Sequence, residues 1–395
     1  MSQVSSIKPS SFPWFRYEGY SFSLGLTDGS TSWLSGHSAS EFDEESGHIV
    51  VRGDMSAQAE TAYAKIGIIL EAAGMQFSDV IRVVENVTTF GVDSYADAAK
   101  IRRQVFGESR PTVVTVIVDR LLRPKAQIEI EVTASLGGAN RTTVNGSVNG
   151  GIQTVNEAAD GTVYLPTILP IDSRGEIVAA GTFEGQYRYC LERAAELLST
   201  VGLTLENVVK TLDYSTPETR DQYRNSVGPR KDMLGPVYPS AAGILMERMH
   251  SPGVLVSLDV FASRHELIAV NPGWKRYETL TYNPAIKAGK MLFISGFAAL
   301  DHDTQKPLYL GDVVAQAEYT YESIIEVLEA AGADATSLIK TIEYVCPEAL
   351  PTYKGVAEVR KKLLSSPWPA STGAVCRALL RPEFLIEVDS LAVLP

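Results

Sequence analysis

The residues best suited to chemistry lie in two short acidic runs. Ile128-Glu129-Ile130-Glu131 and Ile386-Glu387-Val388-Asp389 set carboxylates between apolar, mostly β-branched residues, the pattern of a partly buried strand. A carboxyl among such neighbours is desolvated, so its pKa rises and it can act as a general acid near neutral pH. Glu129 and Glu131 are read as facing opposite ways, one into a cleft and one elsewhere. The alternative is a solvated strand carboxylate. His37 follows Ser35-Gly36 directly and is either an acid–base group or a half-exposed loop residue. Arg120, Arg248 and Arg377 end predicted strands, where they could clamp an anion or form inter-repeat ion pairs. A second acidic column, Glu85, Asp213 and Glu343, stands mid-strand, where a carboxylate is costly unless paired. It is expected to pair across a repeat interface or to line a central axis. His48, His250, His265 and His302 show no metal-ligand spacing, so no metal is expected. The Gly146…Gly150-Gly151 stretch lacks the strand-to-helix setting of a phosphate loop, and no cofactor is expected.

These residues recur in register. Pro111, Pro239 and Pro369 correspond, as do Gln58, Gln186 and Gln316, Gly74, Gly202 and Gly332, and Tyr95, Tyr223 and Tyr353. A unit this long can hold its own core. In the first copy Ser32 to Ser38 reads as a strand. Asp54 is a plausible N-cap for a helix running to Ala73 and closed by Gly74. Val80 to Thr89 reads as a strand, Tyr95 to Val105 as a second helix, and Thr112 to Val118 and Ala126 to Ala134 as further strands. Two helices cover one face of such a sheet, and the open faces of three copies can close on one another. The fold class expected is α+β, with repeats at 1–137, 138–266 and 267–395 around a central β-barrel with outer helices.

Composition narrows the partners. The chain has 395 residues, a net charge of −12 and no run of Lys and Arg, which disfavours nucleic acid. Three cysteines, Cys190, Cys346 and Cys376, read as reduced packing residues. Met1 to Pro13 has no apolar signal core, and no stretch approaches the roughly 18 apolar residues of a membrane span. The expectation is a cytoplasmic protein with no membrane partner, in which the Asn140 and Asn145 triplets carry no glycan.

Several segments resemble the Rid/YjgF family of reactive-intermediate (enamine/imine) deaminases. They are Phe293-Ile294-Ser295-Gly296, the helix from Asp312 through Gln316 to Gly332, Ile339-Lys340-Thr341, and Pro369 followed by Leu385-Ile386-Glu387-Val388. The resemblance implies three tandem domains of chorismate-mutase-like fold, a trimer written as one chain with substrate clefts between copies. It also implies an acid on the last strand, here Glu129 and Glu387 but Ser257 in the second copy. The cleft-lining Ser-Gly falls at Ser35-Gly36 and Ser295-Gly296, with Pro166-Thr167 between them. A cleft aromatic falls at Phe22 and Tyr282. The family's carboxylate-clamping arginine falls on Val113, Ala241 and Ser371, none of which can form a bidentate fork.

The function expected is cofactor-independent hydrolysis or deamination of a small metabolite (an imine, an enamine, or a cyclic or aromatic compound) in clefts between repeats, with carboxylate-assisted activation of water. Glu129 and Glu387 are the catalytic candidates. Ser35, Gly36, His37, Tyr282, Ser295, Gly296 and Arg120 are the substrate-binding ones, with the backbone after Ser35 or Ser295 as an oxyanion-type donor. The alternatives are a non-catalytic ligand-binding protein and a chorismatase-like hydrolase or lyase. The assembly is a monomeric pseudo-trimer or a dimer of pseudo-trimers. Arg16-Tyr17-Glu18 recurs as Arg276-Tyr277-Glu278, where aromatics either seal repeat interfaces or wall a cleft.

Overall fold

A computed structural model describes residues 4–137, 140–144 and 153–395. The Gly146–Gly151 stretch, Asn145 and the 137/138 join fall at or beyond the edges of these described residues. Three sheets share one strand order. In the first, β1 (Thr31–Leu34), β4 (Ile128–Ser135), β2 (Val80–Thr88) and β3 (Thr112–Val118) lie side by side. The second repeats this with β5 (Thr162–Tyr164), β8 (Val256–Ser263), β6 (Val208–Ser215) and β7 (Ser240–Leu245). The third uses β9 (Met291–Phe297), β12 (Ile386–Val393), β10 (Leu338–Val345) and β11 (Ala370–Val375). The last pair in each sheet is parallel and the others antiparallel.

Each sheet carries two helices: α1 (Met55–Ala72) and α2 (Tyr95–Phe106), α3 (Phe183–Ser199) and α4 (Val227–Met233), α5 (Val313–Ala330) and α6 (Val356–Leu363). Asp54 caps α1, accepting from the Ala57 N–H at 3.0 Å, and Gly74 takes φ +70° beyond its end. The recurrent glutamine ties each long helix to its last strand. The Gln58 amide oxygen accepts from Gln127 N–H at 2.7 Å, Gln186 from Leu255 at 2.7 Å and Gln316 from Leu385 at 2.8 Å.

Helix and sheet enclose one apolar core per sheet. A further core is shared by all three, drawing Trp33 and Val84 from the first, Leu212 and Phe261 from the second, and Phe293 and Tyr344 from the third. Buried ion pairs join the sheets in a cycle: Arg82 to Asp259 at 2.5 Å, Lys210 to Asp389 at 2.6 Å and Lys340 to Glu131 at 2.5 Å.

The central barrel expected from the repeats is not closed. Apart from a hairpin of Ser40–Asp43 with His48–Val51, the strands form three separate sheets; the two-residue strands Arg120–Leu121 and Ala378–Leu379 cross onto β11 and β7, and Ser23 makes a lone bridge to Ala370. The reason lies at the seams. The register of β9 shifts between Ile294 and Phe297, and the seams are held by a few isolated backbone bonds, such as Gly36 N–H to Ser371 O at 3.2 Å, together with side chains. Ser295 Oγ accepts from Ala241 N–H at 2.9 Å and Ser35 Oγ from Ser371 N–H at 2.8 Å.

The mid-strand acids also differ from expectation. Glu85, Asp213 and Glu343 neither cross an interface nor reach the axis; each sits beneath its own helices in a cage of two tyrosines and one arginine. Asp213 accepts from Tyr187 at 2.7 Å and Tyr223 at 2.9 Å, with Arg230 at 3.9 Å. Tyr63, Tyr95 and Arg102 surround Glu85, and Tyr321, Tyr353 and Arg360 surround Glu343.

Candidate functional site

The seams differ in what they leave open. Between β7 of the second sheet and β9 and β12 of the third lies a cavity of ≈ 230 Å³. Ala241, Ala242 and Gly243 form one wall, where small side chains leave space. Gly296, Phe297 and Glu387 form the opposite wall, and Tyr277, Tyr282 and Phe384 line the sides. Glu387 is 6 % exposed, and burial, aided by the negative charge of Asp389, pushes its carboxyl up to about 8. It is therefore largely protonated at neutral pH. Its carboxyl packs against the Gly296 Cα so closely that a Cβ there would collide with Oε1, which explains glycine after Ser295.

Four arginines, Arg224, Arg230, Arg276 and Arg381, line the same cavity. His302 lines it too, its ring stacked on Trp274 at 3.6 Å. Burial and nearby Arg276 push that imidazole down to about 4, so it is neutral. Of these residues, sequence reasoning had singled out Glu387, Tyr282 and Gly296 for the site. Phe297 holds the cleft position that His37 takes in the first repeat, whereas Arg230 and Arg276 were not assigned to it, although the recurrence of Arg-Tyr-Glu at 16 and 276 was a signal.

The seam between the third and first sheets is the counterpart. Glu129 faces Gly36 as Glu387 faces Gly296, and burial with neighbouring Glu131 raises its carboxyl to about 7. Glu129 and Glu131 share this face, because residues two apart on a strand point the same way; the opposite-facing expectation is corrected on that ground. Polar side chains bridge this seam: Thr372 Oγ1 accepts from Gly36 N–H at 3.1 Å and from Lys340 at 2.9 Å. Lys65, buried beside Trp14 and Phe15, donates to Ser38 O at 2.7 Å, and burial lowers its amine to about 7. It lies on the apolar face of α1 and was not foreseen.

Other expected site residues are placed as follows. Ser35 and Ser295 are buried; their hydroxyls donate to Ser23 O and Asn283 O, both at 2.6 Å, and accept the cross-sheet N–H described above. They fasten the seams. His37 is buried, its Nε2 3.4 Å from Leu24 O, with the imidazole pushed down to about 3 by burial and Lys65. Arg120 lies on the short strand paired to β11, away from the ≈ 230 Å³ cavity, with its buried Nε lacking a protein partner. In the seam between the first and second sheets Ser257 takes the acid's position, and Thr167 Oγ1 accepts from Thr115 N–H at 2.8 Å.

The fold and its seams define a tandem array of helix-backed mixed sheets with carboxyl-bearing clefts between them. The family model Endoribonuclease L-PSP matches residues 18–136 and 276–394. The chain belongs to this family, which includes the Rid, RutC and YjgF proteins, and carries two of its domains in tandem. It is 32% identical over 155 residues to Reactive Intermediate Deaminase A, chloroplastic, of Arabidopsis thaliana, covering 39% of this chain and 80% of that protein. It is 28% identical over 111 residues to the 3-aminoacrylate deaminase RutC of Acinetobacter baylyi, covering 28% and 85%. A crystal structure of a chorismatase superposes with a TM-score of 0.54 at 16% identity over 80% of this chain and 93% of that one, a likeness of fold. No helix among the described residues is long and apolar enough to cross a membrane.

Proposed function

We propose that the chain is three family-like units, 1–137, 138–266 and 267–395, forming an intramolecular pseudo-trimer. We further propose that it is a cofactor-independent hydrolase of the deaminase type, acting on a small metabolite between the second and third units. The shared strand order of the three sheets and the cycle of ion pairs support the first part. The second rests on one observation: a buried glutamic acid, protonated at neutral pH, on the wall of a cavity with apolar sides and several guanidiniums.

The chemistry follows from that proton. Glu387 donates it to an enamine carbon or imine nitrogen, which makes the adjacent carbon electrophilic. The resulting carboxylate then takes a proton from water as the water oxygen bonds to that carbon. The carbinolamine collapses to a carbonyl and releases ammonia, so that imine and water become ketone and ammonia. Tyr282 and Gly296 belong to this site. Glu129, with Ser35, Gly36 and His37, would belong to a second cleft, bridged by Thr372. Ser295 holds the active seam in register.

A second reading keeps the acid and changes the substrate. The aromatic wall of Tyr277, Tyr282, Phe297 and Phe384 favours a ring, which suits chorismatase-like hydrolysis of a cyclic compound. The test is hydrolysis of imines generated in situ by an amino-acid oxidase, with Glu387→Gln and Glu129→Gln beside the wild type. Acceleration lost in Glu387→Gln supports the deaminase. No acceleration in the wild type rules out amino-acid-derived imines and directs the assay to cyclic carboxylates.

A further inference from the structure

The cavity holds more positive charge than its own walls neutralise. Arg230 is committed: it donates to the Tyr187 hydroxyl at 2.8 Å, to Thr211 Oγ1 at 3.0 Å and to Thr281 O at 3.0 Å. Arg381 gives one Nη to Gln305 O at 2.9 Å, and Arg224 is exposed. Arg276 differs from these in that its Nε–H is buried without a protein partner. Its Nη2 donates to the Tyr282 hydroxyl at 3.2 Å, and its guanidinium lies 5.2 Å from the centre of the Tyr277 ring. Because the Tyr282 oxygen accepts from Arg276, its own proton is free to be donated. A buried, unpaired N–H is costly, and an acceptor brought by a ligand removes that cost. Burial pushes the Glu387 carboxyl up to about 8, so near neutral pH it is mostly uncharged and does not compete as an anion.

We infer that Arg276, with the Tyr282 hydroxyl beside it, binds the carboxylate of the ligand, and that the ligand is a flat carboxylate whose ring or conjugated chain lies along Phe297 and Phe384. Ala241 leaves the β7 wall without a guanidinium; Arg276 supplies one from the segment that leads into the third unit. This rests on the assignment of the cavity as the substrate site, although its test does not depend on turnover.

The probes are benzoate and benzamide, equal in shape and different in charge. Binding to the full chain is measured by calorimetry and thermal shift. Wild type is expected to bind benzoate on the order of tenfold tighter than benzamide, since a charge-assisted bidentate contact is at stake. Arg276→Gln should abolish that preference. Arg276→Lys should recover part of it, and Tyr282→Phe should reduce it. Should Arg276→Gln fail to fold, Arg276→Lys and Tyr282→Phe carry the same comparison. Equal binding of the two probes by wild type, absence of benzoate binding, or a preference that survives Arg276→Gln would overturn the inference. Discrimination present in a protein without hydrolytic activity would leave the clamp standing and defeat the catalytic assignment alone.

Discussion

Replacing Glu387 with glutamine separates a catalytic proton from a structural one. In the folded chain this carboxyl titrates at about 8, held up by burial and by Asp389; in an unfolded chain it titrates near its ordinary value, roughly 4.3. The folded state therefore holds a proton between these pH values that the unfolded state has lost, and stability falls as pH rises through that window. The full span corresponds to roughly 5 kcal/mol, at about 1.4 kcal/mol for each pH unit. Glutamine keeps the shape and has no proton to lose. At pH 4 to 5 the two proteins should be of similar stability, and the variant should become progressively the more stable, by several kcal/mol at pH 8.5. Urea denaturation at pH 5, 7 and 8.5 reads this directly. In parallel, kcat/KM of the wild type should decline above about pH 8 as the general acid is lost, and Glu387→Gln should show a low, flat profile. A stability difference that does not grow with pH, or a wild-type decline that persists in the variant, would refute the assignment of the proton to Glu387.

Other substitutions test the frame around the site. Gly296→Ala places a methyl group against the Glu387 carboxyl; it should cost about 1–3 kcal/mol and reduce turnover, read by melting and by imine hydrolysis. Lys340→Met leaves Glu131 as a buried unpaired charge and should destabilise by about 3–5 kcal/mol, whereas Lys340→Met with Glu131→Leu should recover most of the loss; a double-mutant cycle in urea measures both. Arg360→Met strips the charge partner from the Glu343 cage and should cost a similar ~3–5 kcal/mol, with Tyr353→Phe costing about 1–2 kcal/mol.

Much of the fold was legible because local rules govern it. The Asp54 cap, the apolar stripe of α1 and the positive-φ glycine at 74 mark one helix, and the recurrence of Gln58 as Gln186 and Gln316 marks its partners. Glu387, Gly296 and Tyr282, named from the sequence, line one cavity; an acid in an apolar strand and a glycine beside it carry a signal of their own. Arg276 and Arg230 were not assigned to it from the sequence. Whether an arginine is spent on a carboxylate cage or left free depends on which acids fold around it: Arg230 lies beside Asp213 and Tyr187, whereas Arg276 meets Tyr277 and Tyr282 with no acid paired to it among the described residues.

The sequence by itself determined the repeated unit, its helices and strands and the positions of its buried acids, because period, capping and burial pattern act within a few tens of residues. Only the tertiary structure decided how the units meet. Glu129 and Glu387 occupy equivalent strand positions, yet one faces a seam bridged by Thr372 and the Lys340 network and the other a cavity bounded by Ala241 and Ala242. That difference arises from side chains contributed by the neighbouring unit. The same is true of the open barrel: at its seams the edges meet through the Ser35 and Ser295 hydroxyls and a few isolated backbone bonds.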